Sequence, residues 1–171
     1  MRPVEIEQVL QHMTVIVDSR EQQTEQAERR YSAFGVPWVR GKLDFGDYSA
    51  CLALPDGSRI DFQREVVVER KMSLDELCAC FTRERDRFAR EFDRAKAAGA
   101  RVYLLVEGAS WELIYNGRYR SRLTPQALTA SILAWCSRYD CRIMFCKAET
   151  SGRLIHDILY REAKERLTAA D

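Results

Sequence analysis

Apolar positions in this chain shift between strand-like and helix-like spacing, and each shift marks an element. Residues 14–17, Thr-Val-Ile-Val, form a β-branched run that stops at Asp18, which predicts a first strand with a carboxylate at its C-terminal end. The polar stretch 21–30 predicts a helix closing near Gly35, with Pro37 beyond it. Residues 38–42 and 46–54 read as short strands. The turn signal Pro55-Asp56-Gly57-Ser58 joins 48–54 to 59–62 as a hairpin. Val66-Val67-Val68 then opens a strand over 66–71.

Ser73 occupies an N-cap position with Glu76 three residues on, the capping-box pattern. A long helical region follows to about residue 98, with Thr82 as a candidate break and Gly99 as the stop. Leu77, Phe81, Phe88 and Phe92 supply its buried stripe. Residues 102–106 read as a buried strand. A polar and aromatic connection over 111–122 leads to Thr124-Pro125, an N-cap followed by proline at N1. That helix ends near Tyr139 and carries Trp135 as a core residue or a dimer contact. A short strand over 142–146 and an amphipathic helix over 150–167 complete the chain. Strands alternating with helices predict an α/β sandwich around a mixed sheet, and 171 residues suit one domain spanning 1–171.

Composition narrows the picture only slightly. Lysine and arginine number 27 against 26 acidic residues, a net charge of +1, which neither demands nor excludes nucleic acid. No apolar run approaches the roughly 18–20 residues needed to span a bilayer. The N-terminus lacks a signal-peptide core, so a cytoplasmic protein is expected. The six cysteines contain no C-x-x-C pair, which favours reduced thiols over zinc or disulfides. His12 and His156 have no partner spacing that suggests a metal site or a nucleophilic triad.

Chemistry concentrates at Glu69-Arg70-Lys71. Glu69 and Lys71, two apart on one strand, share a face, and a carboxylate beside an ammonium suits metal-assisted phosphodiester cleavage. Asp47 offers a second carboxylate, with Asp18 and Glu21 as third and fourth. The competing explanation is a solvated ion pair worth about 0–1 kcal/mol.

Together, Gly46-Asp47, Glu69-Arg70-Lys71 and Asp75 reproduce the pattern G-D-x(n)-E-R-K-x(3)-D. With Val17-Asp18-Ser19-Arg20-Glu21 upstream as V-D-x-R-E, the chain resembles the XPF-type (ERCC4-domain) structure-specific endonucleases over roughly 14–107. The resemblance implies a restriction-endonuclease-like, PD-(D/E)XK three-layer sandwich with a mixed central sheet. It implies hydrolysis of DNA with Mg²⁺ or Mn²⁺, at branched or flapped structures, leaving 5′-phosphate and 3′-hydroxyl ends in a repair or recombination setting. Asp47 and Glu69 would be the principal metal ligands, completed by Asp18 and Glu21. Lys71 would assist the attacking water, and Arg70 and Asp75 would lie near the metal or the scissile phosphate. Arg20 would reach a phosphate or pair with Glu21 or Glu69. The family's tandem helix-hairpin-helix module and helicase domain have no counterpart in these 171 residues, so a free-standing, nucleoid-associated nuclease of bacterial or phage type is expected, acting as a homodimer.

Two arginine clusters extend the DNA reading. Arg83, Arg87, Arg90 and Arg94 recur at helical spacing and form a row of candidate phosphate contacts, set against the simpler reading of a solvated face stitched by i,i+4 pairs such as Asp86–Arg90. Arg118, Arg120 and Arg122 flank Tyr119 in a loop suited to phosphate binding or stacking. The alternative is a catalytically silent DNA- or partner-binding module of the same fold. A nucleotide-binding protein is disfavoured, because no glycine-rich phosphate loop follows a strand.

Overall fold

Strand order explains how motifs far apart in the chain meet. The computed structural model describes residues 3–169. Met1, Arg2, Ala170 and Asp171, included in the single-domain reading over 1–171, lie outside the described residues. The elements are α1 (Pro3–Leu10), β1 (Met13–Asp18), α2 (Glu25–Ser32), β2 (Trp38–Gly41), β3 (Tyr48–Ala53), β4 (Arg59–Asp61), β5 (Val66–Lys71), α3 (Leu74–Phe81), α4 (Arg85–Ala97), β6 (Arg101–Glu107), α5 (Trp111–Tyr115), α6 (Pro125–Tyr139), β7 (Arg142–Cys146) and α7 (Ala148–Ala169). Seven strands make one mixed sheet in the order β2-β1-β3-β5-β6-β7, with β4 paired to β3. β1–β2, β5–β6 and β6–β7 are parallel, whereas β3 runs antiparallel to β1, β4 and β5. This is the mixed α/β sandwich that the alternation of strands and helices predicts.

The pleat of β5 sorts its side chains between two cores. Val66 and Val68 join α1, α2 and α7 on one face, and Val67 joins α3, α4 and α6 on the other. Two-residue spacing therefore turns Glu69 and Lys71 toward the α3–α4 layer and Arg70 toward the α2 layer. Phe81, Phe88, Phe92 and Trp135 pack together in the second core, with Phe88 stacked on Trp135 at 5.1 Å. Trp135 is thus a core residue. On the first face, a Cβ at Gly152 of α7 would come within 2.2 Å of the Arg30 backbone oxygen, so only glycine lets α7 approach α2 there.

Several boundaries differ from expectation. The helix expected over 21–30 begins at Glu25, because Thr24 accepts the Ala27 N–H and caps it, leaving Glu21 in the preceding loop. Gly46 and Asp47 precede β3 rather than opening it. The helical region after Ser73 divides at Thr82, whose hydroxyl bonds back to the Cys78 carbonyl, so Arg83 lies between α3 and α4. α7 starts two residues before the expected 150. Helices α1 and α5 were not expected. Each is short, and they bury only Ile6, Val9 and Leu10, and Ile114, too few positions for a helical period to show. The six cysteines are free thiols.

Candidate active site

The cleft forms at the C-terminal end of β5. Gly46 adopts φ +73°, and a Cβ there would lie 2.7 Å from the Val67 Cβ. Both the backbone conformation and the close approach to β5 require glycine. The following residue is therefore pressed onto β5: Asp47 N donates to the Val68 carbonyl at 2.9 Å, and the Asp47 carbonyl accepts Asp18 N at 2.8 Å. Asp47 Oδ2 accepts the Arg70 backbone N–H at 2.7 Å, which places its carboxylate beside Glu69 in one cleft of about 480 Å³.

Glu69 is buried, and its Oε1 accepts Lys71 Nζ at 2.6 Å while Oε2, also buried, has no hydrogen-bond partner. Lys71 Nζ also lies 5.2 Å from the centre of the Phe88 ring. Burial raises the Glu69 carboxyl to a pKa of about 7, with the Lys71 ammonium only partly offsetting it. Asp47 is raised well above the usual carboxylate range by burial and then by the charges of Glu69 and Glu21. Burial pulls Lys71 downward, but Glu69 and Asp47 outweigh it and hold the ammonium charged.

These features fit a hard divalent cation. An unpartnered buried carboxylate oxygen and two mutually repelling carboxylates are both relieved by positive charge between them. Among the described residues no group of three or more His, Cys, Asp or Glu could hold a metal. Two protein carboxylates with water completing the shell is the manner in which Mg²⁺ is commonly held.

Beneath Asp47, on the opposite face of β5, Arg70 pairs with Glu107 at 3.2 Å and with Glu21 at 3.8 Å. Arg30, buried, lies 3.6 Å from Glu21 and 3.7 Å from Glu107 and donates Nε to the Tyr48 hydroxyl at 2.9 Å. Tyr48 donates in turn to Glu21 Oε2 at 2.8 Å. Two guanidinium groups thus neutralise two carboxylates, and the network clamps the residue whose N–H orients Asp47.

The sequence-derived residues divide accordingly. Asp47, Glu69 and Lys71 converge in the cleft. Arg70 contributes its backbone there, while its guanidinium is committed to Glu107 and Glu21. Glu21 lines the cleft with its carboxylate held by Tyr48 and the two arginines. Asp18 is buried and accepts from Arg20 Nε at 2.5 Å and Leu43 N at 3.2 Å. Arg20, half-exposed, is thereby tied to the loop before Gly46, and donates to the Leu43 carbonyl as well. Asp75 does not line the cleft; its Oδ1 accepts Arg120 N and Ser121 N at 2.8 and 2.9 Å. Arg87 lines the cleft, while Arg83 borders a second, shallower concavity with Asp75 and Arg120. Arg90 and Arg94 are exposed on α4, Arg94 donating to the Asp44 carbonyl at 3.1 Å. Arg118, Arg120 and Arg122 are exposed on the loop after α5.

Sequence reasoning passed over Arg30, Tyr48, Glu107 and Glu91. Glu107 carried a signal, an acid ending an apolar strand just as Asp18 does. Glu91 accepts Gly46 N at 2.9 Å and lines the cleft, but nothing in its helical context distinguished it from its charged neighbours.

A family model described as the ERCC4 domain matches residues 17–158, which extends well past the motif-bearing stretch. Among solved structures, the chain is similar to XPF from Aeropyrum pernix, at 25% identity and a TM-score of 0.61, covering 92% of this chain and 68% of that one. It is also similar to XPF from Aeropyrum pernix in complex with DNA, at 25% identity and a TM-score of 0.60, covering 90% and 66%. The chain thus spans about two thirds of the length of both. No curated protein sequence matches it.

Proposed function

Because the chain belongs to the ERCC4 domain family and shares its restriction-endonuclease-like sandwich, we propose that it is a divalent-metal-dependent DNA endonuclease acting at branched or flapped DNA. The observation that carries the reading is the buried, unpartnered Glu69 Oε2 set beside Asp47 and the charged Lys71. The solved complex of a similar chain with DNA supports the substrate class.

Asp47 and Glu69 would hold Mg²⁺ or Mn²⁺. When bound, the ion lowers the pKa of a coordinated water and polarises a phosphoryl oxygen. Lys71 presents an ammonium that Glu69 fixes in place, 2.6 Å away, where it orients the attacking water and offsets charge growing on the phosphate. Water adds to phosphorus, the P–O3′ bond breaks, and the departing oxygen takes a proton, leaving 5′-phosphate and 3′-hydroxyl ends. Arg87, at the rim, meets an adjacent phosphate. Asp18, Arg20 and Glu21 act by shape: they fix the loops that carry Asp47. A homodimer would pair through an apolar helix face after Thr124, where Leu133 of α6 is exposed, and sedimentation at micromolar concentration tests it.

The deciding experiment compares native protein with Glu69→Gln on end-labelled single-stranded, duplex, 3′-flap, forked and four-way DNA, with Mg²⁺ or Mn²⁺. Metal-dependent cutting of flapped or forked DNA by the native chain alone is expected. Binding without cutting under every condition would instead identify a silent module.

A further inference from the structure

Asp75 resembles a motif aspartate, yet its neighbours are those of a bracket. It lies in the first turn of α3, a helix on which Glu76 and Cys80 face the cleft while Asp75 and Ala79 line the separate concavity beside them. One carboxylate oxygen accepts two successive backbone N–H groups, Arg120 and Ser121, across 45 residues of chain. That loop is secured from within as well. Tyr119 packs on the α3–α4 core and donates to the Leu123 carbonyl at 2.9 Å, and Ser121 Oγ accepts Leu123 N at 3.2 Å. With Tyr119 and Ser121 turned inward, Arg118, Arg120 and Arg122 alternate outward and are exposed. Among the described residues none of these three guanidiniums has a carboxylate partner, and Arg83, 3.9 Å from Glu84, borders the same concavity as Arg120. Unpaired arginines are commonplace on a surface; arginines on a loop whose backbone is tied down from both ends are pre-organised for an anion.

We propose that Asp75 is a positioning residue outside the hydrolytic centre. It holds the Arg118–Arg122 loop as a second phosphate-binding track on the far side of α3, which grips DNA beyond the cut site. The inference rests on the nuclease reading above, because it takes the polyanion to be the DNA held in the cleft.

Binding of a fluorescein-labelled forked DNA in EDTA is measured by anisotropy across a salt series. Single-turnover cleavage with Mn²⁺ is measured at saturating DNA. The proteins are the native chain, Asp75→Asn, Asp75→Ala and the triple variant Arg118→Ala, Arg120→Ala, Arg122→Ala. An amide oxygen accepts the same two N–H bonds, so Asp75→Asn binds and cuts as the native chain does. The triple variant binds at least about tenfold more weakly, with a salt slope shallower by about 2–3, and cuts at the native rate once saturated. Asp75→Ala binds about threefold or more weakly, keeps the saturated rate, and is nicked faster by trypsin after Arg118, Arg120 or Arg122. If Asp75→Ala fails to fold, the triple variant and Asp75→Asn decide.

A saturated rate lost in Asp75→Asn would put Asp75 in the hydrolytic centre and overturn the proposal. So would native binding and salt slope in the triple variant of a chain that cuts DNA, leaving the nuclease reading intact. A native chain that neither binds nor cuts DNA would overturn both.

Discussion

The backbone N–H of Arg70 donates to Asp47 Oδ2 at 2.7 Å, so the residue between Glu69 and Lys71 aims the second carboxylate of the cleft. One strand thus supplies a carboxylate, an ammonium and the donor that orients a carboxylate from another element. Asp47→Asn keeps an oxygen for that N–H and removes the repulsion with Glu69 and Glu21 that raises Asp47. The variant is expected to lose cleavage and to melt about 2–4 °C higher than the metal-free native chain, a gain of about 1 kcal/mol. Calorimetry beside a cleavage assay checks both; a lowered Tm would mean that the ionised carboxylate supports the fold.

Glu69→Gln is expected to reduce metal-dependent cleavage by more than about 100-fold, since altering even an outer-shell partner of a metal ligand costs about 10–100-fold. Single-turnover kinetics at saturating DNA give the ratio. Residual activity within tenfold of native would remove Glu69 from the metal site.

Burial holds Glu69 protonated up to a pKa of about 7. Without metal, the unfolded chain gives up this proton near the ordinary carboxylate pKa while the folded chain retains it. The Glu69 contribution to stability therefore falls as pH rises from about 4.3 to 7. Metal needs the ionised form, so binding releases a proton and tightens over the same upward course. The rise in Tm on adding Mg²⁺ should be larger at pH 8 than at pH 6, and absent in Glu69→Ala. An equal rise at both values would show that Glu69 is already ionised at pH 6.

Buried Glu162 of α7 accepts from Arg101 Nη1 at 2.8 Å and from the Tyr103 hydroxyl at 2.6 Å, joining the last helix to β6. Burial raises its carboxyl, but Tyr103 and Arg101 outweigh it and hold the pKa below the usual value. That stability is present above the unfolded carboxylate pKa of about 4.3 and is lost as pH falls through the lower folded value. Glu162→Ala should cost about 2 kcal/mol at pH 7, a Tm drop of about 4–8 °C, and the penalty should shrink below pH 4. A penalty independent of pH would assign it to packing instead.

Gly46→Ala forces a side chain into positive φ and against Val67. The expected cost is about 2–3 kcal/mol, with cleavage impaired because Asp47 moves with it. Adding Val67→Ala removes the Cγ2 contact at 2.8 Å but keeps the Cβ contact at 2.7 Å and the φ strain, so the double variant should lose somewhat less stability than the two single losses summed. Simple additivity, read from denaturant melts, would argue that the two residues do not touch.

How much of this was legible in sequence differs from element to element. β5 was readable because a triple valine followed by Glu-Arg-Lys carries its own period, and two-residue spacing alone puts Glu69 and Lys71 on one face. The caps at Ser73 and Thr124 were equally local, each accepting the N–H three residues on. The start of α2 was misread because the charged run from Glu21 suits helix and loop alike until Thr24 claims the cap. α1 and α5 were too short to show a period.

The sequence by itself determined which groups bear the chemistry and which share a strand face, because side-chain spacing along a strand is a property of the local backbone. Only the tertiary structure decided which carboxylates remain open. Asp18, Glu21, Asp47, Glu69 and Asp75 look alike in sequence. Leu43 N and Arg20 occupy Asp18, Tyr48 and two arginines occupy Glu21, and the Arg120–Ser121 backbone occupies Asp75. Asp18 and Glu21 also border the cleft, but Asp47 and Glu69 lie side by side in it, with one oxygen of Glu69 unpartnered. A carboxylate becomes a ligand site when its hydrogen-bond partners are withheld, and most of those partners come from distant parts of the chain that only folding brings near.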